Sequence, residues 1–334
     1  MISASAPAAW AEDAVWYTTA KDPSKESRRG GTILDYRGDG LQLRTLAGRE
    51  VTIPAENVVR IQYDKNEQHR SGDAAFARDE YQAAFDHYQK AMRGDKRSGQ
   101  GAEKRGWVRA ELTAASLRCR VAMGDYGTAG RLFVNLIRRD EASVHLHLIP
   151  LAWTSEASAG ELKAKAWSRG SEHPAVLLLT ASHLMRTPRR DVAIADLQRL
   201  AQSDDLDMAR LASAQLWLTQ VPTATDADLL RWRQTIDKLP EKLRGGPYYV
   251  LGRGYAARKR FQPAALTLMR VPILFPDQRD VAAEALLSAG AALSALGEPG
   301  EAARLFREVT SEYPKSYAAQ EATGRLEKLQ AAQE

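Results

Sequence analysis

Hydrophobic and polar positions follow two different rhythms along the chain. From 14 to 65, short runs rich in β-branched and aromatic residues alternate with turn residues. The runs are Ala14-Val15-Trp16-Tyr17-Thr18-Thr19, Gly31 to Tyr36, Leu41 to Leu46, Arg49 to Ile53 and Val58 to Tyr63. Gly38-Asp39-Gly40, Ala47-Gly48 and Pro54-Ala55-Glu56-Asn57 separate them, which predicts four or five strands joined as hairpins. The polar stretch from Lys21 to Arg29 is expected to be a loop. So small a sheet escapes exposed edges by curling on itself, so a closed or nearly closed β-barrel is expected over 14–65. From Gln68 onward the apolar positions recur at i, i+3, i+4 and i+7, the stripe of an amphipathic helix.

The helical part repeats. Tyr248, Leu251, Gly252, Tyr255, Ala264, Leu268, Val271 and Pro276 are matched, each 38 positions later, by Leu286, Ala289, Gly290, Leu293, Ala302, Phe306, Val309 and Pro314. The small residues Gly252, Ala264, Gly290 and Ala302 fall where two antiparallel helices cross, because only a small side chain allows backbones the ~8–10 Å approach of close packing. Pro276 and Pro314 end the second helices. Weaker copies precede this pair: Tyr81, Ala84, Tyr88 and Ala91; Trp107 to Asp140 with Ala129, Phe133 and Leu136; and Leu177 to Leu200 with Ala181 and Ala193. The pair 208–219 and 226–243 is a degenerate unit, 141–173 is irregular around Ile149-Pro150-Leu151-Ala152-Trp153, and Lys315 to Gln330 is expected to cap the array.

These units resemble the tetratricopeptide repeat, whose usual period is about 34 residues. The aromatic-Pro endings Phe275-Pro276 and Tyr313-Pro314, each followed by an Ala-rich helix, are similar to those of tetratricopeptide proteins of the bacterial cell envelope. Leu41-x-Leu43-x-Thr45-x-x-Gly48, continuing to Ile53-Pro54, Val58 and Ile61, resembles the small Sm-like or SH3-like β module found in many envelope proteins. The expected fold is mostly α: an α-α superhelical, tetratricopeptide-like array of about five hairpins over 66–334, preceded by a β-barrel-like module over 14–65. The resemblance implies an interaction scaffold whose first helices line a concave groove for a partner peptide or protein. By repeat alignment Arg118, Ser182, Arg186, Tyr249 and Arg253 face that groove. Arginine grips carboxylates bidentately and tyrosine offers a stiff amphipathic contact. The Lys and Asn set by which some members clamp a C-terminal carboxylate is not present.

Composition narrows the picture without redirecting it. The 334 residues are 44% hydrophobic and 27% charged, as in ordinary globular chains. No run approaches the ~20 apolar residues of a membrane span. The net charge of +5 is modest, but Arg93, Lys96, Arg97, Lys104, Arg105 and Arg109 form a local basic stretch over 93–109. It reads as a solvated inter-helix loop, or alternatively as a phosphate or membrane-surface contact. With the β module it supports a second reading, a nucleic-acid-associated adaptor, although residues 1–65 carry nine basic and nine acidic residues and are neutral. Tyr36 and Tyr63 in that module are expected to pack.

Ala9-x-Ala11 followed by Glu12 and Asp13 fits a secretory cleavage pattern, so 1–13 is expected to be a signal-peptide remnant, or else a disordered tail. The first alternative implies a periplasmic or secreted protein and the second leaves a cytoplasmic one open. The single Cys119 excludes an intrachain disulfide and is expected to be a packed thiol.

Candidate chemistry is sparse. Asp204, Asp205 and Asp207 precede a helix and read as caps rather than metal ligands. His145 and His147 share a face only on a strand, and no third ligand follows at metal spacing. Gly252-Arg253-Gly254-Tyr255-Ala256-Ala257 matches the dinucleotide pattern G-x-G-x-x-A, but the repeat places Gly252 inside a helix. No cofactor or metal is expected, and no complete catalytic constellation is found. An enzyme assembled from residues of separate hairpins is a third, weaker reading.

Overall fold

The computed structural model describes residues 13–19, 22–94 and 101–331. The Ala9-x-Ala11 pattern and residues Lys96 and Arg97 of the basic stretch lie outside the described residues. The protein is mostly helical with a small antiparallel sheet toward its N-terminus, as expected. It divides into two compact units. One comprises the chain up to Cys119 together with Asn135–Leu148; the other comprises Arg120–Val134 and Ile149–Glu334.

In the first unit, strands β1 (Asp13–Thr19), β2 (Asp22–Arg37), β3 (Gly40–Thr45), β4 (Glu50–Ile53) and β5 (Val58–Gln62) form one sheet in the order β4-β3-β2-β1-β5. The sheet is open, with β4 and β5 at its edges, and this corrects the expectation of closure. Helices take over the covering role. Val15, Ile33, Leu41, Leu43 and Ile53 share a core with residues of α1 (Glu67–Ala77), α2 (Tyr81–Arg93) and α3 (Gly106–Ala122), among them Ala75, Ala84, Tyr88, Trp107 and Leu112. Tyr36 and Tyr63 pack against that core, Tyr63 edge-on to Trp107 at 4.8 Å.

The polar residues 22–29, expected as a loop, are the first half of β2 and pair with β1 from Asp22 against Thr19 to Arg29 against Val15. They are mostly exposed, so no hydrophobic alternation marks them. Asp13 is the first residue of β1, and its carboxylate accepts the Ile33 amide at 3.0 Å.

The second unit is helical. It holds most of α4 (Tyr126–Arg139), then α5 (Glu161–Trp167), α6 (Pro174–Leu184), α7 (Arg190–Leu200), α8 (Leu206–Gln220) and α9 (Asp226–Asp237). It continues with α10 (Gly245–Ala257), α11 (Phe261–Leu274), α12 (Arg279–Leu296), α13 (Pro299–Glu312) and α14 (Tyr317–Ala331). Local sequence sets the boundaries. Asp205 accepts the Met208 amide at 3.1 Å and caps α8. Thr225 and Asp228 make a reciprocal capping box on α9. Helix α12 ends on Gly297 in the left-handed conformation (φ 88°), and Pro299 opens α13, where its missing N–H has no intrahelical partner to lose. Helices α11 and α13 stop just before Phe275-Pro276 and Tyr313-Pro314.

The 38-residue repeat has a direct structural counterpart. A Cβ on Gly252 would lie 2.5 Å from Leu268 Cγ, and one on Gly290 would lie 2.5 Å from Phe306 Cε1. Each glycine lets the second helix of its pair drive a large side chain against the first. Ala264 and Ala302, one turn before those side chains, are fully buried. The same geometry occurs in the first unit, where a Cβ on Gly72 would lie 2.5 Å from Tyr88 Cε1.

Candidate functional site

Within the second unit, α10 packs on α11 and α12 on α13, while alternate helices are also neighbours: α6 with α8, α8 with α10, α10 with α12, and α12 with α14. The first helix of each pair thus joins a row. Three of the expected groove residues meet on it. Tyr249 of α10 is 4% exposed, and the Arg253 guanidinium lies 5.6 Å from its ring centroid. Arg186, just past the end of α6, is within electrostatic reach of both. Arg186 and Arg253 keep solvent-exposed surface.

The electrostatics of this patch are those of a partly dried surface. Burial pushes the Tyr249 phenol up to about 12, with Arg253 opposing. Burial lowers the Arg186 guanidinium, and the charge of Arg253 acts in the same direction. Burial also raises the Glu284 carboxyl, on α12, against the pull of Arg253. Arg253 hydrogen-bonds the Tyr249 phenol, and the Glu156 and Glu284 carboxylates act electrostatically on Arg186, while both arginines stay exposed. Such a pair can receive a carboxylate bidentately.

Ser182, expected in the same groove, is only 1% exposed and is fully engaged. Its hydroxyl donates to Gln215 Oε1 at 3.0 Å and accepts the Ala152 amide at 2.8 Å. The neighbouring His183 holds the same segment. Its Nε2 is 2.8 Å from the Pro150 carbonyl, and its Nδ1 accepts the Ala159 amide at 3.2 Å. An N–H aimed at Nδ1 requires that atom to be unprotonated, so His183 is the neutral Nε2–H tautomer. Burial lowers it to about 4, with the Pro150 carbonyl opposing. Nearby, Tyr126 donates to Asp280 in the first turn of α12, and burial raises that carboxyl.

Arg118, on α3, is exposed and belongs to the first unit. Arg93 and Lys104 are exposed. Arg105 is held by Glu103 at 3.0 Å and donates to the Asp64 carbonyl at 2.8 Å. Arg109 donates to the carbonyls of Met92 and Glu103, each at 3.3 Å. These two arginines brace the start of α3. Cys119 is buried in the first core. His145 is buried and lies 3.5 Å from Glu111, while His147 sits in a short 3-10 turn, Leu146–Leu148, with Nδ1 3.0 Å from the Val144 carbonyl. The strand that would align them is not formed. Gly252 is inside α10 against Leu268.

Two features escaped the sequence reading. One is the capture of residues 149–160 by α6. The other is Trp16 on β1, whose cross-strand neighbours are Arg28 and Arg60. The Arg60 guanidinium is 3.8 Å, and that of Arg28 5.5 Å, from its ring centroid. Arg28 lies in the polar stretch that reads as a loop, so the sequence carries no signal for this pairing, which only the strand register reveals. No protein-family model matches the chain, and no curated protein matches its sequence.

Proposed function

We propose that this chain is a non-enzymatic interaction scaffold of tetratricopeptide type, working in the bacterial cell envelope, that holds a partner protein or peptide against the row of first helices in its helical unit. The observation that carries this reading is the convergence of Arg186, Tyr249 and Arg253 on that row, with both arginines exposed. The pattern suits an acidic side chain or a terminal carboxylate of a partner, with Tyr249 supplying stiff apolar contact. The equivalent glycine crossings in the 252 and 290 hairpins support the repeat reading. The envelope assignment rests on the aromatic-Pro endings and the small β module.

The test is affinity capture from envelope and cytosolic fractions, run in parallel with the wild-type chain and the Arg186→Ala/Arg253→Ala variant. The reading expects a partner recovered from the envelope fraction by the wild type and lost by the variant. Equal recovery by both chains would move the site elsewhere.

A second reading, an adaptor for nucleic acid, is favoured by a different observation. Val15 and Tyr17 point to the core, so alternation puts Trp16 with Arg28 and Arg60 on the other face of the sheet. Binding of single-stranded RNA that weakens with salt and is lost in Arg28→Ala/Arg60→Ala would support it.

A further inference from the structure

Residues 149–160 have neither helix nor strand, yet Leu151, Ala152, Trp153, Thr154 and Ala157 are buried. Irregular chain normally stays at the surface, because its backbone polar groups need partners. Here side chains of the helical row supply several of them. Ser182 takes the Ala152 N–H, and His183 binds the chain twice, giving a hydrogen to the Pro150 carbonyl and taking one from the Ala159 N–H. The tautomer of His183 is fixed by these two contacts.

Trp153 anchors the segment. Its indole lies on Gly246 of α10 so closely that a Cβ there would sit 2.1 Å from Trp153 Cε2. An aromatic anchor seated on a glycine, flanked by side-chain-to-backbone hydrogen bonds, is how a surface grips an extended peptide. Gln215, completely buried, fixes the Ser182 hydroxyl: its Oε1 receives that hydrogen at 3.0 Å, which leaves the Ser182 oxygen to accept the Ala152 N–H.

From this we infer that the face formed by Ser182, His183, Gln215 and Gly246 is a peptide-recognition groove, and that residues 149–159 are its resident intramolecular ligand. The partner segment it fits is an extended one of the same kind, with an apolar residue, proline, two small or apolar residues and tryptophan in succession, as in Ile149-Pro150-Leu151-Ala152-Trp153. The tether keeps the resident ligand at an effective concentration on the order of millimolar, so a partner must displace it. This inference rests on the scaffold reading in that both use the helical row, but it concerns a separate set of residues from Arg186, Tyr249 and Arg253.

The test supplies the segment in trans. A labelled synthetic peptide spanning residues 147–160 is titrated into the wild-type chain and into a full-length chain whose residues 150–158 are replaced by a Gly/Ser stretch of equal length. The groove predicts binding to the replaced chain at least about tenfold tighter than to the wild type, and a similar loss when the peptide carries Trp153→Ala. No binding to a replaced chain that keeps its helical circular dichroism and a cooperative melt would overturn the inference. Hydrogen exchange on the unaltered chain covers the case in which the replaced chain does not fold. A releasable ligand requires the Ala152 and Ala159 amides to exchange through a smaller opening than the central amides of α6 and α10. Exchange of all of them through one common opening would also overturn it. Both measurements leave Arg186, Tyr249 and Arg253 in place, and the hydrogen exchange also leaves Glu156, which acts on Arg186, so a negative result leaves the scaffold reading standing.

Discussion

Gly290 makes the room that Phe306 fills: a Cβ on the glycine would come 2.5 Å from the ring, which is itself buried at 1% exposure. Two effects oppose each other in Gly290→Ala. Removing a mid-helix glycine gains about 0.5–1 kcal/mol, and overpacking a closed core costs about 1–3 kcal/mol. The clash wins, because a fully enclosed ring has nowhere to turn. Gly290→Ala is expected to lower the midpoint of thermal unfolding, and Phe306→Leu in the same chain to recover part of the loss. Gly324→Ala is the control. It also lies within a helix, but its added Cβ meets nothing within 4 Å, so it is expected to stabilise by roughly 0.5–1 kcal/mol. Opposite signs for Gly290→Ala and Gly324→Ala, read by denaturant titration, check the crossing geometry.

The buried His183 makes stability depend on pH. Its folded value of about 4 lies below its ordinary 6.5, so the unfolded chain takes up the proton first. Its contribution is therefore complete above about pH 6.5 and is lost as the pH falls toward 4, amounting to about 3 kcal/mol at most. His69, buried in the first unit and also lowered to about 4, acts in the same direction. His183→Gln should flatten the pH 4–6.5 part of the stability curve while leaving the His69 part. An unchanged slope would contradict the neutral tautomer.

Tyr126 and Asp280 are linked through the phenol hydroxyl, and Tyr126 is 3% exposed. Tyr126→Phe removes the donor while leaving the carboxyl in place. The expected cost is about 1–3 kcal/mol, because a desolvated acceptor loses its partner. Equilibrium unfolding of the variant at neutral pH reads it directly.

How much of this was legible depends on the range of each interaction. The crossings at Gly252 and Gly290 could be read because both partners in a hairpin lie 16 positions apart, within one repeat. The same spacing relates Gly72 to Tyr88, a crossing of which only the second helix carries the repeat pattern in the sequence. Residues 22–29 read as a loop in the sequence because an exposed polar strand carries no alternation; its β structure comes from pairing with β1. Sheet closure was expected from the strands alone, and the helices that cover the sheet lie 50 and more residues further on than Val15. Of the candidate site, Arg186, Tyr249 and Arg253 followed from repeat alignment. Ser182 did too, but its engagement with Ala152 is a contact between a helix side chain and an irregular backbone, for which sequence has no period. The apolar run around Pro150 in an otherwise polar stretch was the trace it left.

The central claim is that partners bind on the first-helix row at the arginine patch. Site-specific photo-cross-linking in the source cell tests it most directly, with a photoreactive amino acid placed singly at Ala257, exposed on α10 one turn beyond Arg253, and at Arg307, exposed on the second helix α13. A discrete adduct from position 257, absent from 307 and abolished by Arg186→Ala, is the predicted result. Adducts of equal yield from both positions, or from 307 alone, would contradict it.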